Sequence, residues 1–386
     1  MTAFIQRARR IALLCGFAGL LPCALGAAIA PGRLFHAYLF AWVFWVGVPL
    51  GCLAILMIQH VTGGAWGLVI RRLLESGTRT LPMMGLLFVP LAFALPKIYL
   101  WARPAVIAVD PLLRQKSAYL NVPFFLARTA AYFIIWCGLA YILNRWTRRQ
   151  DETGDPRLAR QLTLVSAGGM LAFVLAMTFA SVDWVMSLEP HWFSTIYPLL
   201  IMAGQVVSAF CFVIAAAVLL SRFEPLSRAI SPAHLHDLGK LLFAFVMVWA
   251  YFALSQFLII WSANLPEEIP WYLRRLKGGW EWVGITVILL HFALPFGLLL
   301  VRRIKRTGSL LMRVAMLIFV MRLVDFYWMM APGFDDGAVT AHWLDLAAAI
   351  GMGGLWVFFF VSQLPRLPLL PLRDPFLAEA MSHCDE

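Results

Sequence analysis

The chain has 386 residues, of which 62% are hydrophobic and only 13% are charged. This composition and a mean hydropathy of +0.81 exclude an ordinary soluble protein. The formal net charge of +11 would suggest nucleic-acid binding in a soluble protein. In a membrane protein, the positions of the basic residues decide what that charge means.

Apolar runs long enough to cross a hydrocarbon core of about 30 Å recur along the chain. They predict about ten transmembrane helices, over residues 11–30, 37–58, 81–102, 122–143, 161–182, 193–220, 239–263, 280–301, 310–331 and 342–363. We therefore predict an all-α polytopic membrane protein. Residues 1–363 form one integral membrane domain, and residues 364–386 form a proline-containing cytoplasmic tail.

The first apolar run leaves two interpretations open. Arg7, Arg9 and Arg10 precede it, and the small residues at 24–26 resemble a signal-peptide cleavage site. The run continues through Ile29, which is long enough to span a bilayer and favours a retained first helix.

The basic residues predict the orientation of the chain. If the N-terminus is cytoplasmic, 20 of the 31 Lys and Arg residues fall in cytoplasmic segments, and only seven fall in the opposite links. This is the positive-inside pattern of a multi-pass protein, here expected in a bacterial cytoplasmic (inner) membrane. It places both termini in the cytoplasm and explains the net charge without nucleic acid.

Redox-centre motifs are not evident in the sequence. The six cysteines form no C-x-x-C pair, which argues against covalent haem, an iron–sulfur cluster or a disulfide framework. His291 is the one clearly central histidine, whereas His36, His60, His191 and His342 fall near predicted helix ends. A b-type haem normally needs two facing central histidines, so we expect none.

The hairpin 181–197, between the fifth and sixth predicted helices, contains Asp183, Glu189 and His191 but no Lys or Arg. A carboxylate beside a histidine near the membrane surface can exchange protons with a quinol or with bulk water. The simpler alternative is a helix-capping aspartate and a hydrated loop. Glu189, in a Ser-Leu-Glu-Pro stretch, fits ordinary turn chemistry most simply.

Inside the ninth predicted helix, Arg322 and Asp325 are three residues apart and so share one face. An intramembrane ion pair of this kind lowers the cost of insertion, and it is also a common element of proton relays. For the central His291, the alternatives are a proton relay and a hydrogen-bonded core histidine. Arg128, early in the fourth helix, is expected to have an acidic partner.

The outer links 103–121, 264–279 and 332–341 are rich in proline, aromatic residues and both signs of charge; the last contains Asp335 and Asp336. Such segments are typical of structured surfaces rather than of flexible spacers. They can form a rim that docks neighbouring subunits or part of a reactive site.

Four segments resemble the NrfD/PsrC-like membrane subunits of alternative complex III. They are Asp110-Pro-Leu-Leu-Arg-Gln-Lys-Ser-Ala-Tyr-Leu-Asn-Val-Pro-Phe-Phe-Leu126, the hairpin around Asp183–His191, Leu265-Pro-Glu-Glu-Ile-Pro-Trp-Tyr272, and Arg322-Leu-Val-Asp-Phe-Tyr-Trp328. The chain is most similar to the ActF type, the second quinone-binding subunit of the quinol:cytochrome c oxidoreductase. The likeness runs from about residue 80 to 345.

The resemblance implies two adjacent four-helix bundles with flanking helices. It also implies a respiratory complex that oxidises quinol and passes electrons, through iron–sulfur and multihaem cytochrome c subunits, to cytochrome c or a terminal oxidase. This chain would sit beside a sister NrfD-like subunit and lipid, without a redox centre of its own. Its implied contributions are assembly, proton translocation and quinone binding, with a proton role for Asp183, His191, Arg322 and Asp325.

Two other functions remain open on the sequence. A secondary transporter would have discontinuous helices in two related halves, and Pro90, Pro96 and Pro295 mark candidate breaks. A purely structural scaffold for partner subunits would need none of this chemistry.

Overall fold

The computed structural model describes residues 1–334, 337–339, 341–371, 373–374, 377 and 381. All of its regular elements are helices, and no strand occurs among these residues. The all-α prediction is therefore confirmed. Asp335 and Asp336, which belong to one of the predicted outer links, lie outside the described residues.

The helices differ greatly in length. Those of the first half are α1 (Thr2–Ile29), α2 (Pro31–Thr62), α3 (Ala65–Leu68), α4 (Arg71–Thr78), α5 (Leu81–Leu86), α6 (Val89–Ile98), α7 (Pro104–Val109), α8 (Pro111–Lys116) and α9 (Val122–Thr153). Those of the second half are α10 (Pro156–Trp184), α11 (Tyr197–Leu220), α12 (Leu226–Ala229), α13 (Pro232–Ala263), α14 (Pro270–Arg275), α15 (Trp280–Thr286), α16 (Leu294–Leu300), α17 (Arg302–Arg306), α18 (Gly308–Met330) and α19 (Trp343–Gln363). A π-helix, Val287–Ala293, joins α15 to α16.

Local sequence sets several of the helix starts. Asn121, Asp155 and Ser231 accept backbone N–H groups of the first turn, and a proline follows each within two residues. The side chain satisfies an N–H that has no partner within the helix, and proline has no N–H to leave unpaired. The starts of α9, α10 and α13 are therefore readable from a few neighbouring residues.

Eight helices are long and apolar enough to span a membrane, and the bent pair Arg71–Leu86 and Val89–Ile98, which turns by 57°, makes a ninth if counted as one span. The protein is thus a helical, multi-pass membrane protein. The remaining predicted span corresponds to α18. Every stretch of 18 residues within α18 contains Arg313, Arg322 and Asp325, so it is not an ordinary apolar span. The total of ten stays a prediction, as does the division into two bundles.

The core of the molecule is built on α2 and α11. Within their most apolar stretches 94% and 83% of the residues are buried, against 22% in α1 and α13. Outer helices can expose apolar side chains because lipid tails solvate them. α18 packs against α11 and α2, so Arg322 and Asp325 are buried inside the protein.

Helices α1 and α19 pack closely and run antiparallel, because Gly16 meets Gly354 and Gly19 meets Gly351. A Cβ atom added at Gly354 would lie 2.2 Å from the backbone nitrogen of Gly16, closer than any real contact allows. Small residues allow this approach, which dispersion forces stabilise within a membrane.

The antiparallel arrangement puts both chain ends on one face of the molecule, here called the chain-end face. The described part of the segment after residue 363 folds back onto this face. Asp374 pairs with Arg71 at 2.5 Å, and Arg373 donates to the carbonyl of Glu152. The opposite face, here called the hairpin face, contains the hairpin 185–196. It also contains the link 103–121 before α9 and the link 264–279 before α15.

Candidate functional site

A buried group of polar and charged residues lies where α11, α13, α18 and the π-helix meet. We call it the His291 cluster, and it consists of Gly204, Trp249, His291, Arg322 and Asp325. His291 is fully buried, and Arg322 and Asp325 are 2% and 3% exposed. Three titratable side chains this deep among apolar helices require partners, because each charge would otherwise cost several kcal/mol.

Arg322 and Asp325 satisfy part of that requirement. Arg322 donates from Nη1 to Oδ2 of Asp325, as expected from their spacing on one helix face. The guanidinium lies directly against Gly204 of α11, where a Cβ atom would come within 2.0 Å of Nη2. Gly204 is therefore glycine because the guanidinium occupies the space of a side chain. Nε of Arg322 has no hydrogen-bond partner in the described part of the chain.

His291 lies against the pair and stacks on Trp249, with ring centroids 4.1 Å apart and an interplanar angle of 12°. The guanidinium carbon of Arg322 lies 6.0 Å from the centroid of the same indole. Neither ring nitrogen of His291 forms a hydrogen bond with any described residue. The proton-relay and core-histidine interpretations of His291 both stay predictions.

The backbone around His291 is also unusual. Val287–Ala293 forms a π-helix, and Pro295 follows it. Pro295 cannot donate to the carbonyl of His291, four residues earlier, and its ring crowds that carbonyl. A widened turn relieves this conflict, and π-turns of this kind are frequent at functional sites.

Asp183 belongs to a separate network on α9 and α10. Arg128 donates from Nε and Nη2 to its two carboxylate oxygens, both at 2.8 Å, and Tyr132 donates at 2.7 Å. Arg128 in turn stacks over the ring of Tyr119 at 3.8 Å. The prediction of an acidic partner for Arg128 is confirmed. Asp183 is fully buried and saturated with donors, an arrangement typical of a structural anchor.

Glu189 ties the hairpin to the link that contains α14. Its carboxylate accepts from Arg274 at 3.0 Å and from Arg275 at 2.8 Å. Arg275 is fully buried, lies 3.6 Å from the centroid of the Trp271 ring, and donates to the carbonyl of Met329 at 2.7 Å. Sequence reasoning missed Arg275, because nothing in the pair Arg274-Arg275 indicates which side chain points inward.

His191 ties the hairpin to α8, the helix that Asp110 caps. Nε2 of His191 lies 2.8 Å from Oδ2 of Asp110, and Lys116 donates to the carbonyl of Pro190 at 2.6 Å. The backbone N–H of Leu113, with His191, lowers the pKa of Asp110 below its usual value. The stability that ionised Asp110 contributes is therefore fully present above the ordinary pKa of an aspartate. It is lost only as the pH falls through the lowered pKa.

The six predicted site residues thus fall into three separate places. Arg322, Asp325 and His291 come together in the membrane interior, Asp183 pairs with α9, and Glu189 and His191 hold the hairpin to two links. Sequence reasoning missed Trp249 and Gly204, since their roles depend on residues of other helices. For Trp249 there was one indication in the sequence. This residue lies centrally in its helix, away from the helix ends where membrane tryptophans concentrate.

Among the described residues, no group of three or more His, Cys, Asp or Glu side chains could hold a metal ion. Two cavities lie toward the chain-end face, and none of the six site residues lines them. No protein-family model matches the chain, and no curated protein is significantly similar to it.

Proposed function

We propose that this protein is an integral membrane subunit of a quinol-oxidising respiratory complex, and that it moves protons through the His291 cluster. The resemblance of four segments to alternative complex III subunits supports the first part. The observation that carries the second is His291 itself, a buried imidazole with two unpartnered ring nitrogens beside a buried ion pair.

An imidazole with both nitrogens available can accept a proton at one and release it from the other. The Arg322–Asp325 pair places a positively charged group and a carboxyl group next to His291. In a region of low dielectric constant, both groups interact strongly with a proton on the imidazole. The unpartnered atoms are polar enough to bind water, which a proton route through apolar helices requires. Electron transfer is assigned to the iron–sulfur and multihaem cytochrome c partners that the resemblance implies.

The test starts from the full chain, purified with its co-purifying subunits and reconstituted into vesicles. His291→Phe keeps the stacking on Trp249 but removes both proton-carrying nitrogens. We expect quinol oxidation, with the protons that it releases itself, to continue while proton translocation across the vesicle membrane slows by about 100-fold, the size of a typical contribution from a positioned proton carrier. His60→Gln is the matched control, because His60 is also buried but pairs with Ser166, away from the cluster.

Two results would contradict the proposal in different ways. Purification without haem c or iron–sulfur subunits would remove the respiratory assignment. Normal assembly with unchanged proton translocation across the vesicle membrane in His291→Phe would remove the proton route and leave a scaffold function.

A secondary transporter is the second candidate, because the helix breaks anticipated for it do occur. The span that contains Pro90 and Pro96 is bent by 57°, and the π-helix directly precedes Pro295. Broken helices of this kind form the substrate sites of many transporters. Purification as a single subunit, together with solute uptake in vesicles, would favour this function over the first.

A further inference from the structure

A cavity of about 1020 Å³ opens on the chain-end face between α4, α5, α9 and the segment that follows α19. Its outer part is strongly basic. Five arginines line it, namely Arg79, Arg145, Arg148, Arg149 and Arg366, whereas Glu152 is the one carboxylate among the lining residues. This charge balance selects an anionic ligand.

Several of these arginines are available to a ligand. Arg148 is neutralised by Glu152 at 3.0 Å, and Arg79 lies near Glu75 and Asn144. Arg145, Arg149 and Arg366 form no ion pair with any residue in the described part of the chain. Three guanidinium groups thus face a shared space without an ion-pair partner in the described part of the chain, and they come from two distant parts of it.

The inner part of the cavity is apolar. Pro82, Cys137 and Ala140 line it, and Cys137 precedes Arg149 by 12 positions, which is about 18 Å along α9. The cavity therefore runs from a basic rim at the membrane boundary into the zone of apolar helix surface. A free phosphate ion would use the rim alone, whereas a phospholipid would fill both parts.

Gln363 adds a polar contact point within the wall. Its side chain is 8% exposed, and its Oε1 atom has no partner among the described residues. A hydroxyl donor on the ligand, such as the glycerol of a phospholipid headgroup, would satisfy this acceptor.

We propose that this cavity binds an anionic phospholipid, and that a headgroup with two phosphates, as in cardiolipin, fits it best. Arginine binds phosphate oxygens with two parallel hydrogen bonds, and three unpaired guanidinium groups match two phosphates better than one. Basic pockets between membrane helices are the usual sites for such headgroups. The binding site ties α9 to the segment after α19 and does not depend on the proton route.

The test uses the full chain, purified in neutral detergent with its co-purifying subunits and stripped of lipid. Cardiolipin, phosphatidylglycerol and phosphatidylcholine are added singly, and bound lipid is counted by native mass spectrometry. We expect cardiolipin to bind most tightly, phosphatidylglycerol less tightly and phosphatidylcholine least tightly. Inorganic phosphate at millimolar concentration should not displace cardiolipin, because it lacks the acyl chains.

The variant Arg149→Gln/Arg366→Gln removes two exposed, unpaired charges and should fold normally. Cardiolipin affinity should fall by about tenfold or more. Arg149→Lys/Arg366→Lys, which keeps the charge, should retain most of it. The control Arg222→Gln/Arg302→Gln removes two exposed charges on the same face outside the cavity, and should bind as the parent does. Equal binding of all three lipids, or equal losses in test and control variants, would overturn the proposal.

Discussion

Arg128 and Asp183 illustrate how one contact changes the meaning of a residue. The sequence presents Asp183 as a titratable group near a membrane surface, and that description fits a proton carrier. In the structure, its two oxygens accept from Arg128 and Tyr132, and the carboxylate is fully buried. A carboxylate held by three donated hydrogen bonds is fixed in place, which suits anchoring the end of α10 to α9.

The Arg128–Asp183 pair leads to a prediction about stability. Arg128→Gln leaves a buried carboxylate without its counter-charge, so we expect a loss of about 3–5 kcal/mol in the free energy of unfolding. Thermal unfolding in detergent measures it. Arg148→Gln is the control, because the Arg148–Glu152 pair is exposed and should be worth less than about 1 kcal/mol. Similar small losses in both variants would mean that Asp183 is not held as described.

His291 shows what residue-level reasoning can and cannot reach. Its central position in an apolar run is visible in the sequence, and the structure shows it fully buried. The partner that stacks on it, Trp249, belongs to α13, and the charged pair beside it belongs to α18. These contacts join residues far apart in the chain, so no local pattern reveals them.

At the scale of helices, local signals located the long elements and marked Pro90, Pro96 and Pro295 as candidate interruptions, but not the form that the interruptions take. Apolar runs predicted a third span over 81–102, whereas the chain forms two segments, Arg71–Leu86 and Val89–Ile98, that meet at 57°. Prolines mark this region and the π-helix before Pro295. Whether a proline bends a helix, widens a turn or is simply accommodated depends on neighbouring helices that can satisfy the freed carbonyl groups.

The contact between α1 and α19 yields a prediction at this scale. Gly354→Leu would force its side chain into the backbone of Gly16, so we expect overpacking to cost about 1–3 kcal/mol and to separate the helices. The unfolding temperature in detergent should fall. Gly168→Leu in α10 is the matched control, because no atom lies within 4 Å of a Cβ at that position. An equal fall in both variants would point to a general effect of leucine rather than to close packing.

At the scale of the whole molecule, charge is distributed by face. The antiparallel pairing of α1 with α19 brings both ends of the chain to the face where the basic cavity opens. On the hairpin face, Glu189 pairs with Arg275, and His191 contacts Asp110. The five arginines that line the cavity on the chain-end face fit the positive-inside pattern, which predicts cytoplasmic termini.

That orientation can be tested directly. A reporter that is active only in the cytoplasm, fused after Glu386, should be active, and a reporter that is active only outside should be active when inserted in the link 264–279. A reporter inserted at Gly154, between α9 and α10, controls for insertion and should behave like the C-terminal fusion. The reverse pattern would invert the membrane orientation while leaving the helix packing intact.

The sequence alone predicts a bundle of membrane helices and some of the helix ends, such as those near residues 122, 220 and 263, because apolar length is a local property. It also identified the Arg322–Asp325 pair, since residues three apart on a helix must share a face. Contacts between distant helices fix which acids are saturated and which polar atoms have no partner among the described residues. Asp183 and His291 were both titratable candidates in the sequence, and their difference lies in the side chains that other helices bring to them.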